Sequence, residues 1–521
     1  MKKEIDFNQI SKEELIKLYL KKIEAYDELE AKFYELEKEK NDALKKIEQY
    51  EMKLKISQYR KFGRKAETKI GEKIEETVFN EAEKEIEEEK KEIKKSGRKK
   101  GSQNFDKDYL EAHVVETIYL EPEGIEKLKE EEELIELESD VFYKTKVVPE
   151  RIEVIKIIKK KYYNKKNNEF YQGISDDPFP HSICSADLAT DIMIKKFMYG
   201  LPYYRQSEVI INDGLYISRQ NLCNYQLRAT SILEPMYEYL KNLLINTSTK
   251  VIYADETTLR VIESDKSKCY AWVYSTGFYD HPIYIYDFRE SRTRENVIKF
   301  LDGFNGYLVT DKYGGYSKLE GIDNAYCWVH ARRNFNDILQ TINKDLWPSS
   351  VSYKIVRLID ELFKKEAEFK KRKLGPNRIQ EERNKKDYLK VLNEIFTILH
   401  NTEPDKGSLL ESAYNYILKD EDSFKTFLKD GHIELSNNIS ERAVKPFVID
   451  RKNFLFSNTI EGARSSLIFF SLQQTARSNG LNPYEYIQDL INILYKDSSK
   501  ETLDKLLPWN YADNISKFIR K

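Results

Sequence analysis

The sequence predicts a multidomain α/β protein: a mixed-sheet core interrupted by an all-α insertion, preceded by a long helix, a small β module and a helical region. Three observations predict it. Two apolar runs each close on an aspartate, Val251-Ile252-Tyr253-Ala254-Asp255 and Tyr307-Leu308-Val309-Thr310-Asp311. They read as buried strands, because strands covered on both faces lose polar alternation, and ligand-binding residues gather at strand ends. A stretch without Pro or Gly from Ser11 to Ile56, rich in Glu, Lys and Leu, reads as one long helix. A charged helical stretch over 347–427 then separates both aspartates from a third acid, Glu441.

The bulk composition narrows the function classes. A chain of 521 residues suggests three or four units at roughly 100–200 residues each. A formal net charge of −2 gives no global positive field, so any surface that meets nucleic acid must be local. Cys184, Cys223, Cys269 and Cys327 lie far apart with no CxxC pair, which argues against a disulfide framework or a Cys-rich zinc site. The first thirty residues carry no signal-peptide pattern, and no run approaches the ~18 apolar residues of a membrane span. A cytoplasmic protein is expected.

Residues 1–60 form the long helix. A heptad register places Tyr26, Phe33, Ile47 and Leu54 at one seam position and Leu15, Leu29, Leu36, Ala43 and Tyr50 at the other, with Lys22 and Lys40 as interruptions. Such a helix self-associates as a coiled coil or packs, solvated, on its own protein. Residues 61–105 are a charged linker, with basic clusters around Arg60 to Lys65 and Lys94 to Lys100 flanking the acidic run Glu81 to Glu92. The clusters read equally as phosphate contacts or solubilising charge. Residues 106–175 predict a small β module, on the alternation of Arg151 to Ile158.

Residues 180–245 return to helical patterning, with breaks at Gly200-Leu201-Pro202 and Asp213-Gly214. Ser218 caps a helix whose first turn offers Arg219, Gln220 and Asn221, the arrangement by which a helix-turn-helix unit reads base edges, although ordinary helix pairs share it. The core's first part spans 250–342: strands at 251–254, 269–275 and 282–287, a helix at 294–301, a strand at 307–310 and a helix at 331–342. Three strands, a helix and a further strand, with acids ending the first and fourth, is the order of a ribonuclease-H-like nuclease core. The insertion occupies 343–430, the core is completed over 431–495, and 496–521 is a C-terminal tail. In the completing segment Ser436 or Asn437 caps a helix that sets Asn438, Glu441 and Lys445 on one face. Either aspartate alone reads as well as a turn residue or cap; with Glu441 they make a three-carboxylate set suited to hard divalent cations.

These residues resemble a known family, the transposases of IS66-type insertion sequences, members of the DDE transposases. The resemblance rests on a series of stretches in order: Phe62-Gly63-Arg64, Leu201-Pro202-Tyr203-Tyr204-Arg205-Gln206, Ala254-Asp255-Glu256-Thr257, Asp311-Lys312-Tyr313-Gly314-Gly315-Tyr316 and Cys327-Trp328-Val329-His330-Ala331-Arg332-Arg333. Asn437 to Arg442, Arg451 to Phe456, Asn479 to Tyr484 and Leu507 to Asn510 continue it. Two departures stand out. The family's cysteine-based zinc module survives only in its tail, Val148 to Ile155, and with no cysteine between Met1 and Ser182, and only His113 and His181, no zinc is expected there. Lys445 stands where the family more often has Arg.

The resemblance implies a bacterial, nucleoid-associated enzyme that cleaves transposon ends and joins the 3′-hydroxyl to target DNA. Asp255, Asp311 and Glu441 would be catalytic and would hold two Mg²⁺ ions, with Mn²⁺ as a substitute. Arg332, Arg333, Arg442 and Lys445 would contact DNA, as would Arg219, Gln220 and Asn221. His330, Asn438 and Arg292 are auxiliary candidates; His330 reads equally as a packed, hydrogen-bonded residue, and Glu256, one step along the strand from Asp255, as structural. Partners are the terminal repeats, target DNA, a second copy in a homodimer or higher oligomer, and accessory proteins of the element. The competing readings are a ribonuclease-H-like nuclease without strand transfer and an inactive, transposase-derived DNA-binding protein.

Overall fold

The structure is a computed structural model that describes residues 11–62 and 176–515 continuously, with 152–165, 169–173 and a few positions between 111 and 144. The charged linker and most of the expected β module lie outside the described residues, as do 516–521. Among the described residues no helix is long and apolar enough to cross a membrane.

Helix α1 runs unbroken over Lys12–Phe62. Tyr26, Leu29, Phe33, Leu36, Ile47, Tyr50 and Leu54, from both seam positions, are all exposed on it. Strands β1 (Lys161–Asn164) and β2 (Glu169–Gln172) pair antiparallel in a hairpin. The alternating stretch ahead of them is not a strand: residues 152–160 have no regular structure, and Val154, Ile155, Ile157 and Ile158 are exposed. Alternation yields a strand only where a neighbour takes up the backbone N–H and C=O groups, and the ladder here begins at Lys161.

Helices α2 (Ala186–Phe197), α3 (Tyr203–Asn212) and α4 (Arg219–Ile245) follow. Ser185 and Ser218 cap α2 and α4 through their side chains, Ser218 accepting from the Asn221 N–H. At 27 residues α4 extends far beyond a recognition helix, with Leu222, Leu233, Leu240 and Leu244 in the core.

The central sheet contains β3 (Val251–Leu259), β4 (Cys269–Thr276), β5 (Tyr284–Arg289), β6 (Gly306–Thr310) and β7 (Ile322–Tyr326), in the order β5-β4-β3-β6-β7. The first three are antiparallel; β6 and β7 run parallel to β3 and to each other. Helix α5 (Arg294–Phe300) connects β5 to β6, and α6 (Trp328–Leu339) follows β7. Two details depart from expectation. Strand β7 was missed because Asp323 and Asn324 break its apolar run. Strand β3 continues past Asp255 to Leu259 because β4 pairs with it as far as Leu259 opposite Cys269.

The expected insertion contains α7 (Val351–Lys371), α8 (Pro376–Arg383), α9 (Lys386–Asn401), α10 (Leu409–Leu418) and α11 (Glu421–Lys425). It is no outlying appendage. Val251, Tyr253 and Val309 of the sheet share one continuous apolar core with Trp328, Phe335, Ile359, Ile395 and Phe424. Helices α12 (Asn438–Phe454), α13 (Ile460–Ser478) and α14 (Pro483–Leu494) complete the core. On β5, a sheet edge, the N–H groups of Tyr284 and Tyr286 donate to the hydroxyls of Thr475 and Ser471, so α13 satisfies an edge that would otherwise attract another strand. The region expected as a tail carries α15 (Lys500–Lys505) and α16 (Pro508–Asn514), with Leu506, Leu507 and Tyr511 buried and Trp509 stacked on His281.

Candidate active site

The parallel pairing of β3 with β6 ends at Tyr253 opposite Val309. Extended by two residues, that register sets Asp255 level with Asp311, at the point where β6 stops and β3 continues on β4 alone. β7 pairs with β6 up to Thr310 opposite Tyr326, which brings Cys327 to the same level. Strands β6 and β7 thus end together one residue short of this row, while β3 carries Asp255 through it and runs on to Leu259.

Alternation decides which way each acid faces. Asp255 shares the side of Val251 and Tyr253, toward the core that runs into the insertion. Glu256, opposite Trp272 in the ladder, takes the other side, where Trp272 packs against Tyr316 and Tyr274 stacks on Phe300. There Glu256 accepts from the Tyr316 hydroxyl at 2.5 Å and from Arg292 Nε at 2.7 Å. Arg292 also lies over the Tyr313 ring, 3.6 Å from its centroid. The auxiliary candidate Arg292 is therefore tied to Glu256 and the turn after β6. In that turn Asp311 Oδ1 accepts from the Tyr313 N–H at 3.0 Å, and a Cβ at Gly315 would collide with the Tyr313 ring.

The third acid arrives through a returning segment pinned at four points. Glu434 N–H donates to the Tyr253 hydroxyl at 3.0 Å, and Trp328 N–H donates to Leu435 C=O at 2.9 Å. Asn437 donates through its backbone to Cys327 Sγ at 3.2 Å and through its side chain to Ala254 C=O at 2.9 Å, one residue before Asp255. Asn437 occupies the N-cap position of α12, but its side chain makes no capping bond, and neither does Ser436 replace it. This fully buried residue was overlooked as a site residue; the doubled Asn437-Asn438 ahead of Glu441 was its signal. Glu441 then sits in the first turn of α12, where a negative charge is favoured by the helix dipole.

Electrostatics tie the acids together. The Asp255 carboxyl is held well above the usual range, first by burial and then by Glu256, Asp311 and Glu441. Burial lowers His330, against the opposing pull of Glu441 and Asp311. Burial pushes the Cys327 thiol up to about 12, with Glu441 adding to the effect. Ligand atoms of Cys327, His330 and Glu441 all lie within 4.8 Å of one another, and His330 Nδ1 is 3.7 Å from Glu441 Oε1.

The expected DNA contacts divide. Arg442 and Lys445 are exposed on α12, Arg333 is half-buried beside His330, and Arg219, Gln220 and Asn221 are exposed at the start of α4. Asn438 is half-buried, one turn ahead of Glu441. Arg332 is a correction: it is fully buried, with Nε 2.6 Å from Asp360 Oδ1 on α7, and presents nothing to a phosphate. A charged residue in the second turn of a helix looks solvent-facing until the insertion packs over it.

Comparison with known proteins gives two family matches. A family model for the IS66 family transposases matches residues 181–465, and one for the IS66 C-terminal element matches 471–509. Three proteins of Sinorhizobium fredii (strain NBRC 101917 / NGR234), each named only as an uncharacterized protein, are similar over most of the chain. They are y4jD, 28% identical over 66% of this chain and 71% of that protein, y4qI, 26% over 70% of each, and y4hP, 26% over 73% and 72%. With the family match covering more than half of its residues, and with its acids on the sheet and helix described above, the chain belongs to the IS66 transposase family.

Proposed function

We propose that the protein is a DNA transposase that cleaves the ends of its element and joins the freed 3′-hydroxyl to target DNA, with Asp255, Asp311 and Glu441 as catalytic acids. The observation that carries this reading is the shared level of Asp255 and Asp311 where β3 and β6 part, with Glu441 close enough to perturb Asp255. The donors fit Mg²⁺, with Mn²⁺ as substitute: all are hard carboxylate oxygens, and Glu441 Oε1 is buried without a hydrogen-bond partner. Carboxylates that hold two ions about 3.5–4 Å apart do not all meet at one point; when bound, such ions activate the attacking oxygen and stabilise the leaving one.

The chain's own residues do the rest. Arg442 and Lys445 neutralise phosphate beside Glu441, with Arg333 behind them. His330, 3.7 Å from Glu441, and Asn438, one turn ahead of it, flank the acid and line the site. Asn437 fixes the start of α12 to β3, so that acids far apart in sequence keep one geometry. Arg219, Gln220 and Asn221 reach toward base edges from the start of α4. The exposed seams of α1 associate with a second copy, and accessory proteins of the element complete the assembly in the bacterial cytoplasm.

The test is a cleavage and strand-transfer assay on a duplex with the element's own ends and Mg²⁺, comparing wild type with Asp311→Asn. Nicking and joining by wild type, with binding but neither reaction in the variant, is the expected result. Nicking without joining would make the protein a nuclease. Equal activity in both proteins would remove the acid assignment.

A further inference from the structure

We infer that Cys327, His330 and Glu441 form a three-ligand site for a zinc-class divalent cation, separate in chemistry from the hard-cation site and sharing one carboxylate with it. The site stands on geometry. A sulfur, an imidazole nitrogen and a carboxylate oxygen converge within 4.8 Å, from the N-cap and first turn of α6 and the first turn of α12. His330 Nδ1 and Glu441 Oε1 face each other at 3.7 Å, too far to hydrogen-bond, and each is a buried atom without a hydrogen-bond partner. Leaving two such groups unsatisfied is costly, and one cation between them answers both. Bonds of about 2.0–2.1 Å to N and O at a tetrahedral angle place the two donors roughly 3.3 Å apart, a small closure from the observed distance.

The donor set selects the metal. A thiolate and an imidazole favour Zn²⁺ or Co²⁺ over Mg²⁺, which takes oxygen ligands and keeps its waters. Binding displaces the Cys327 thiol proton to solvent, and thiolate plus carboxylate then balance the dication. One supporting donor is already in place: the Asn437 N–H donates to Cys327 Sγ at 3.2 Å, as backbone amides do at metal thiolates. Three protein ligands leave a fourth position open. This cysteine pairs with no zinc motif in sequence, because its third partner lies more than a hundred residues away across the insertion. On the reading that Glu441 is the third catalytic acid, occupancy by a soft ion withdraws it from the hard-cation site, so Zn²⁺ inhibits the Mg²⁺-supported reaction.

The test is titration of the chelator-stripped full chain with Co²⁺, followed by absorption. Visible d–d bands and a near-ultraviolet thiolate-to-cobalt band are expected, with Zn²⁺ abolishing both. Cys327→Ser should lose the near-ultraviolet band although Cys184, Cys223 and Cys269 remain, and His330→Gln should weaken binding at least about tenfold. Far-ultraviolet circular dichroism of the metal-free proteins checks folding; should Cys327→Ser not fold, His330→Gln, at a position whose side chain is 25% exposed, decides alone. Absence of the thiolate band in wild type, its persistence in Cys327→Ser, or unchanged affinity in His330→Gln overturns the site. Asp311→Asn should keep the cobalt spectrum while losing DNA chemistry. Cobalt binding in a protein inactive on DNA would retain this site and reject the transposase reading; DNA activity without cobalt binding would do the reverse.

Discussion

Replacing Arg332 with methionine separates a structural role from a DNA-binding one. The Arg332 side chain is 1% exposed and its partner Asp360 3%. Burial pushes the Asp360 carboxyl up, and Arg332 is what pulls it back. Arg332→Met keeps the apolar stem and strands Asp360 in the core between α6 and α7. Breaking a buried pair from one side costs roughly 3–5 kcal/mol. At about 2–4 °C per kcal/mol for units of 150–250 residues, the melting temperature should fall on the order of 10 °C. The double variant Arg332→Met/Asp360→Leu should recover most of that loss, since apolar replacement of a whole buried pair is often neutral or better. DNA affinity measured against salt below the melting range should keep its slope, because each lost phosphate contact would reduce the slope by about 0.9. A melting temperature close to wild type, together with a slope shallower by about one, would refute the assignment and return Arg332 to the DNA surface.

The other predictions follow from single contacts. Asn437→Ala should lower stability by about 1–2 kcal/mol, for the bond lost to Ala254, and lower cleavage more than duplex binding; equal losses in both would show that Asn437 does not position Glu441. Glu256→Gln should leave strand transfer within roughly tenfold of wild type, a barrier change of about 1.4 kcal/mol, whereas Asp255→Asn should abolish it; the opposite order would exchange their roles. Burial raises the Asp450 carboxyl from 3.8 to about 7. The folded state then binds the proton more tightly, so this group's stabilisation is full below the unfolded value and is lost as pH rises through about 7. Asp450→Asn should therefore gain on wild type in denaturant titrations as pH rises from about 4 to 8, by no more than about 4 kcal/mol and by less as far as solvent screens the carboxyl, and a pH-independent difference would show that Asp450 does not titrate in this range.

Legibility in the sequence followed the range of the forces involved. The long helix and the apolar runs ending at Asp255 and Asp311 were readable because period and composition act locally. Strand β7 was not, since Asp323 and Asn324 sit in a strand by virtue of pairing with β6, a partner defined by tertiary structure. The same gap explains Asn437: a doubled asparagine before an acid suggests a cap, and only the fold shows its side chain spent on Ala254. Arg332 misled in the opposite direction, because nothing near it in sequence reveals Asp360. The stretch at Ile152 to Ile158 shows that alternation states a capacity to pair, which a neighbouring strand has to take up.

The neck where the chain leaves and rejoins the sheet has one more consequence. Trp328 N–H meets Leu435 C=O, and Asn437 N–H meets Cys327 Sγ. The long detour is thus clamped at its base, while its turn at Asp405 to Gly407 is exposed. Closure entropy grows only slowly with the length of what is enclosed, so the registration of the third acid depends on the clamp and the shared core and hardly on continuity of the peptide between them. A protein nicked at that turn should stay together as two interlocked fragments, one carrying Asp255 and Asp311 and the other Glu441. The three acids would then be distributed over two chains without any change in their address.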